Sequence, residues 1–274
     1  MKDEINQSFA ADSRAKAMHW DKGRRTELAI ELLPEEPLSI RVQGKPYAVV
    51  MRTPGDELAH AAGFCLAEGL IDQPEDMVSL AMCEGDETNV VTVTLSPQRQ
   101  KQVAGHLDRR EYISQTSCGL CGKTLIEELT QVLRPLQDPI TIDTTAAEKC
   151  LRNLEAFQPL RDRNAASHAA VLFDADLKPL AAMEDVGRHN ALDKVVGRLF
   201  LDQRLHLAKV LVMSSRISYE LVQKAARARI PIILAHSRPT ALAVGLARDL
   251  NIALASGAKP TGLYLFCHMQ RFGG

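Results

Sequence analysis

The sequence predicts an α/β protein in two parts: a smaller, β-rich N-terminal α/β domain, and a second half in which strands alternate with helices around a largely buried sheet. Three observations carry this. Short strand-like runs crowd the opening, with the turn signal Gly44-Lys45-Pro46 between two of them. From Ala169 onward, apolar runs alternate with amphipathic helical patterns, the signature of an α/β sandwich. At 274 residues, 46% hydrophobic and 24% charged, the chain is long and apolar enough to bury a sizeable core. The expected layout is an N-terminus without regular structure over 1–24, one domain over 25–137 and a second over 138–274.

In chain order, Glu27 to Leu33, Leu38 to Gln43 and Tyr47 to Arg52 read as strands. Thr53-Pro54-Gly55-Asp56 punctuates the chain before a helix over Glu57 to Glu68 that stops at Gly69. Thr88 to Ser96 returns to strand. After Cys121, Leu125, Ile126, Leu129, Val132 and Leu133 recur at helical spacing, and Pro135 to Thr141 reads as a boundary. In the second half the strands are Ala169 to Phe173, Leu207 to Met213 and Ile230 to Ala235. The helices are Asn190 to Leu201, Ser218 to Arg229 and Thr240 to Leu250.

With 33 basic and 34 acidic residues the net charge is -1, so bulk electrostatics favour neither nucleic acid nor a membrane surface, and an anionic ligand needs a local basic site. No apolar run approaches the ~20 residues of a membrane span. Arg24-Arg25 is a twin arginine, but Glu27 and Glu31 interrupt the stretch where an export signal is apolar. The chain is therefore expected in the cytoplasm, where its six cysteines stay thiols unless chemistry uses them.

Only Cys118 and Cys121 are closely spaced, in Ser117-Cys118-Gly119-Leu120-Cys121-Gly122-Lys123. Sulfur chemistry needs a thiolate, and a helix start beside cations lowers a thiol pKa. Lys123 and Arg109-Arg110 supply the charge, Ser117 can cap the turn, and the glycines keep bulk away from the sulfurs. Two other uses of the pair stay open. It is half of a zinc site, which His168 or Cys150 would have to complete in space, or a redox pair, although a thioredoxin-like motif follows the first strand of a βαβ unit. Gly122-Lys123-Thr124 is not a phosphate-binding loop, because that pattern needs glycine at position 117, which is serine. Cys65, Cys83, Cys150 and Cys267 read as structural.

Glu184-Asp185-Val186-Gly187-Arg188-His189-Asn190 precedes a helix whose apolar face is Ala191, Leu192, Val195, Val196, Leu199 and Phe200. Arg188 and His189 at a helix start suit an anion. Equally, Asp185 or Asn190 can cap the helix while an Asp–Arg pair satisfies the rest. His168 reads more as a satisfied histidine than as a catalyst. Ser214-Ser215-Arg216 falls at the C-terminal end of a strand, where α/β sheets receive ligands.

Over nearly its whole length the chain resembles the FdhD family of formate dehydrogenase accessory sulfurtransferases. The likeness rests on Glu36-Pro37-Leu38, Arg52-Thr53-Pro54-Gly55-Asp56, Gly63-Phe64, Glu68-Gly69, the cysteine loop, and Glu184 to Ala191 with Asp193-Lys194. Ser215-Arg216-Ile217-Ser218, Glu220 to Lys224, Pro239-Thr240 and Ala243-Val244 complete it. The resemblance implies a persulfide on Cys118, with Cys121 assisting. It implies sulfur supplied by a cysteine desulfurase and passed to a bis-molybdopterin guanine dinucleotide cofactor for formate dehydrogenase, in a protein that is a homodimer. It also implies a three-layer second domain similar to cytidine deaminases, although the deaminase zinc signature is absent, so no resident metal is expected. A non-catalytic cofactor chaperone and a zinc-stabilised binding module are the alternative functions. The family's C-terminal cofactor segment falls on Gly257, Ala258, Lys259, Pro260, Thr261 and Gly262, where its aromatic and arginine are missing and Lys259 offers a point charge. The family's Thr-Gly-Gly before His168 is replaced by Ala165-Ala166-Ser167.

Overall fold

The computed structural model describes residues 13–83, 89–108, 133–258 and 260–273. The cysteine loop, with Cys118 and Cys121, the helix expected after it, and Lys259 lie outside them. The N-terminal part holds β1 (Arg14–Asp21), β2 (Arg24–Glu31), β3 (Glu36–Val42), β4 (Lys45–Arg52), α1 (Glu57–Ala67), β5 (Met77–Met82), β6 (Val90–Leu95) and α2 (Pro97–Asp108). The C-terminal part holds β7 (Ile142–Asp143), α3 (Thr144–Arg152), α4 (Pro159–Asn164), β8 (His168–Phe173), β9 (Pro179–Asp185) and α5 (Arg188–Leu201). It continues through β10 (Val210–Met213), α6 (Tyr219–Arg227), β11 (Ile232–Ala235), α7 (Ala241–Asp249), β12 (Ala253–Gly257), β13 (Leu263–Cys267) and β14 (Phe272–Gly273).

The mixed α/β class is as the sequence indicates. β3 to β6 form a four-stranded sheet in the order β4-β3-β6-β5, and β8 to β13 form a six-stranded sheet in the order β13-β12-β11-β10-β8-β9. In the larger sheet β10, β11 and β12 are parallel, while β8, β9 and β13 run against their neighbours. Alternate residues of its strands join two cores. Leu172, Leu211, Met213, Ile233 and Leu254 face one way with α5, α6 and α7, whereas Val171, Val210, Val212, Ile232 and Ala255 face α3. Strands buried on both faces explain the unbroken apolar runs.

Two local expectations change. The polar opening, expected without structure to residue 24, pairs as a hairpin from Arg14, turning at Lys22 and Gly23 with φ of 45° and 83°. Its strands bury little, so they carry no apolar alternation to read. The second hairpin turns at Gln43-Gly44, both at positive φ, rather than at Gly44-Lys45-Pro46. Pro46 lies inside β4 opposite Arg41, which an edge strand tolerates because its missing N–H is not needed by a further neighbour.

The two parts share one core through α1. This helix buries Ala59 to Ala67 without a break, being covered by the four-stranded sheet on one side and α5 on the other. Gly63 and Gly197 sit where the helices cross. A Cβ on Gly63 would lie 1.9 Å from the Asp193 carbonyl oxygen, and one on Gly197 1.8 Å from that of Ala59. At the far end of α1, Arg227 donates to the Leu66 and Ile71 carbonyls and Arg99 to those of Gly69 and Leu70, so two guanidiniums satisfy the last turn and the chain leaving it. Gly197→Ala is expected to destabilise by about 3 kcal/mol or more, the upper range of overpacking, because backbone rather than a flexible side chain must yield. The urea midpoint measures it, and a change below ~1 kcal/mol would contradict the close crossing.

Candidate functional site at the C-terminal edge of the large sheet

The C-terminal ends of β10, β11 and β12 lie along one edge. Antiparallel pairing brings His168, at the start of β8, and Asp185, at the end of β9, to the same edge. α5, α6 and α7 all begin here, each following a strand. Thr240 caps α7 by accepting from the Ala243 N–H, whereas α5 and α6 have no side-chain cap, which leaves backbone donors and positive dipole ends facing the edge. Ser215-Arg216 follows β10 and Ser237-Arg238 follows β11, so the same dipeptide recurs at equivalent places. Arg216, His236 and Arg238 are exposed, and the Arg238 guanidinium lies 4.7 Å over the Tyr264 ring.

The segment Glu184 to Asn190 divides between two jobs. Asp185 is fully buried and accepts from the backbone N–H of Thr53 (3.0 Å) and Gly187 (2.9 Å) and from Asn190 Nδ2 (2.9 Å), with Lys194 Nζ at 2.7 Å. Lys194 also donates to the Thr53 carbonyl, Asn190 to that of Met51, and the Val186 N–H to Thr53 Oγ1. Neither Asp185 nor Asn190 caps α5. They clasp the end of β4 and the turn after it onto the large domain, an arrangement neither reading of the sequence contained. Glu184 holds the start of α4 instead, accepting from the Leu160 and Arg161 N–H groups and from Ser167 Oγ.

Arg188 and His189 remain at the edge. Arg188 Nε is buried without a hydrogen-bond partner among the described residues. His189 Nε2 is 3.4 Å from Ser218 Oγ and 3.3 Å from Glu220. Burial, reinforced by Arg188, Lys224 and His168, pushes its pKa down to about 3, so the ring is neutral at pH 7. Burial and then Arg188 and Arg161 lower His168 too, whose Nδ1 is 3.5 Å from Ser214 Oγ. Behind them Lys224 pairs with buried Asp193 at 2.8 Å. Burial pushes that carboxyl up to about 7; burial is also the largest single influence on Lys224, pulling its ammonium down, but Asp193, Glu220 and Glu68 together outweigh it and raise the pKa.

Gly257 to Gly262 forms the β12–β13 turn at the same edge, three strand spacings or ~14 Å from β8. The Ala258 N–H donates to the Gly262 carbonyl, and the Gly262 N–H donates to Glu148 on α3. Gly262 has φ +92°, and a Cβ on Gly257 would approach Leu151 to 3.2 Å, so both glycines fit the turn. Pro260 and Thr261 occupy its tip. Ser215 is buried and bonds the carbonyl of Arg216, a structural role. Cys65 and Cys267 are buried and Cys83 and Cys150 half-buried, with burial raising the thiol pKa of Cys65, Cys150 and Cys267. A cavity of about 580 Å³ opens at the opposite end of the sheet, where Asp138 pairs with Lys209 and Asp72 with Arg227.

An α/β protein whose sheet edge gathers cations, neutral histidines and uncapped helix starts is the class these features define. The chain belongs to the FdhD/NarQ family, whose model matches residues 33–273. It is 38% identical over 271 residues to the sulfur carrier protein FdhD of Mycolicibacterium paratuberculosis, covering 95% of this chain and 98% of that one. It is 38% identical over 251 residues to the sulfur carrier protein FdhD of Streptomyces coelicolor, covering 88% of each. The crystal structure of a candidate formate dehydrogenase accessory protein from Desulfotalea psychrophila superposes with a TM-score of 0.75 at 23% identity, over 95% of this chain and 98% of that one, and shares the fold. No helix among the described residues is long and apolar enough to cross a membrane.

Because the His189 pKa is lower in the folded chain (about 3) than the ~6.5 of an unfolded histidine, the unfolded state binds more protons between those values. The stability this group contributes is therefore complete above pH ~6.5 and lost as pH falls toward 3. His189→Gln is expected to remove about 2 kcal/mol of the destabilisation seen between pH 6.5 and 5, measured by urea unfolding. An unchanged pH slope would mean that His189 titrates normally.

Proposed function

We propose that this chain is a cytoplasmic sulfur carrier serving formate dehydrogenase, and that it acts as a persulfide sulfurtransferase. Cys118 thiolate attacks the terminal sulfur of a cysteine desulfurase persulfide. The donor S–S bond breaks, the donor cysteine leaves as thiolate, and Cys118 holds the new persulfide with Cys121 as the assisting thiol. Cys121 thiolate then attacks the Cys118 sulfur, the persulfide S–S bond breaks as a Cys118–Cys121 disulfide forms, and the outer sulfur leaves at the sulfide level for molybdenum of a bis-molybdopterin guanine dinucleotide cofactor, bound as substrate; a cellular thiol then reduces the disulfide. The observation that carries the reading is the match along nearly the full length to relatives named as sulfur carriers.

The sheet edge supports the cofactor half of this reading. Its uncapped helix starts and Arg188, Arg216 and Arg238 suit a polyanionic dinucleotide. Gly257, Ala258, Pro260, Thr261 and Gly262 lie in the turn that borders it, and Lys259, outside the described residues, is assigned with them to the cofactor as a point charge. We read the six-stranded domain, with helices on both faces, as cytidine-deaminase-like in architecture only. Two copies are taken to form the working homodimer.

Intact-mass measurement after incubation with a cysteine desulfurase and cysteine should show a reducible gain of one sulfur atom that is absent in Cys118→Ala. No gain in the wild type would favour a cofactor chaperone, or a zinc module if the purified protein holds about one equivalent of metal that is lost with the cysteine pair. Arg188→Ala should weaken binding of guanosine diphosphate roughly tenfold or more, as loss of a charge-assisted hydrogen bond predicts. Unchanged calorimetric affinity would remove Arg188 from the site.

A further inference from the structure

At the β13 side of the large sheet, the Arg238 guanidinium lies 4.7 Å over the Tyr264 ring, and both side chains stay exposed, Tyr264 at 45%. Tyr264 belongs to β13 and Arg238 follows β11. β12 runs between them, and its Ser256 stands in register with Ala235 on one side and Tyr264 on the other. Residues paired in this way project to one face, so Ser256 and Tyr264 share a face, and Arg238 crosses the end of β12 to reach the ring. Ser256 Oγ is fully buried there without a hydrogen-bond partner among the described residues. A buried hydroxyl left unpaired costs free energy that a hydrogen bond to a ligand recovers. Leu242, in the first turn of the helix that follows Arg238, adds exposed apolar surface.

We propose that Tyr264 and Arg238 form the base subsite of the nucleotide ligand: a purine base stacks on Tyr264, Arg238 closes over its other face, and Ser256 Oγ bonds its edge. The proposal rests on the cofactor half of the reading above and divides the sheet edge between two tasks, Arg188 and Arg216 for the phosphates and Arg238 with Tyr264 for the base. A tyrosine ring with a guanidinium plane beside it is the kind of surface on which nucleobases stack. A bare phosphate gains nothing from it, because the face of an aromatic ring is electronegative. The spacing fits a nucleotide as well. Arg216, after β10, stands three strand spacings or ~14 Å from β13, a gap that the ribose and diphosphate of the ligand bridge together with the arginine side chain. Arg238 is exposed and carried on a loop, so it can swing off the ring to admit the base, and the same movement uncovers Ser256.

Calorimetric titration of the full chain with guanosine diphosphate and with inorganic pyrophosphate separates base from phosphates. Tyr264→Ala should weaken guanosine diphosphate binding roughly five- to a hundredfold, the range of a lost base stack, and leave the pyrophosphate affinity unchanged. Tyr264→Phe, which keeps the ring, should bind as the wild type does. Arg238→Lys keeps the charge and loses the plane, and should weaken guanosine diphosphate binding with the same selectivity. Equal weakening toward both probes would make these side chains phosphate-binding groups and overturn the base subsite. Unchanged guanosine diphosphate affinity in Tyr264→Ala would overturn it too, and a loss in Arg188→Ala measured alongside would show that the cofactor reading still stands. A wild type that binds no guanosine diphosphate would overturn both.

Discussion

The carboxylate of Asp185 is the point on which the molecule is organised. It sits without solvent exposure at the end of β9 and takes donors from Thr53 in one part of the chain and from Gly187, Asn190 and Lys194 in the other. A buried ion is tolerated only when paired and fully hydrogen-bonded, so the charge requires both parts to be in place. The glycine crossing of α1 and α5 follows from the same demand. Lys194 lies on α5 and reaches the Thr53 carbonyl just ahead of α1, so these helices must run at close quarters.

The polar run around Asp185 shows why sequence patterns mislead about roles. Glu184, Asp185 and Asn190 look like helix-start chemistry, yet they bond to segments distant in the chain, and Met51 and Thr53 carry no sign of being their partners. Arg188 and His189, next to them, point to the edge instead. What separates the two groups is tertiary placement, which a linear pattern does not encode.

Other elements were legible for physical reasons. β8, β10 and β11 are buried on both faces and read as apolar runs, while α5 and α6 carry clear apolar stripes. β9, β12 and β13 were not read from the sequence: β9 ends in the acidic pair taken as a pre-helix cluster, and β12, Ala-Leu-Ala-Ser-Gly, is weak in β-branched residues. Of the candidate site, the residues after β10 could be placed from strand-end logic. Ser237-Arg238 was equally available, since it repeats the Ser-Arg found after the preceding strand. The assignments to Cys118 and Cys121 rest on the cysteine pattern and the family, not on geometry.

Arg99 and Arg227 at one end of α1, and the Asp185 clasp at the other, fix that helix at both ends to the rest of the chain. Two parts successive in sequence are thereby made a single mechanical body. A hinge between them would have to break buried charge pairs and separate backbones already in contact, so heat should melt them in one cooperative step. Any rearrangement then falls to elements outside this shared core.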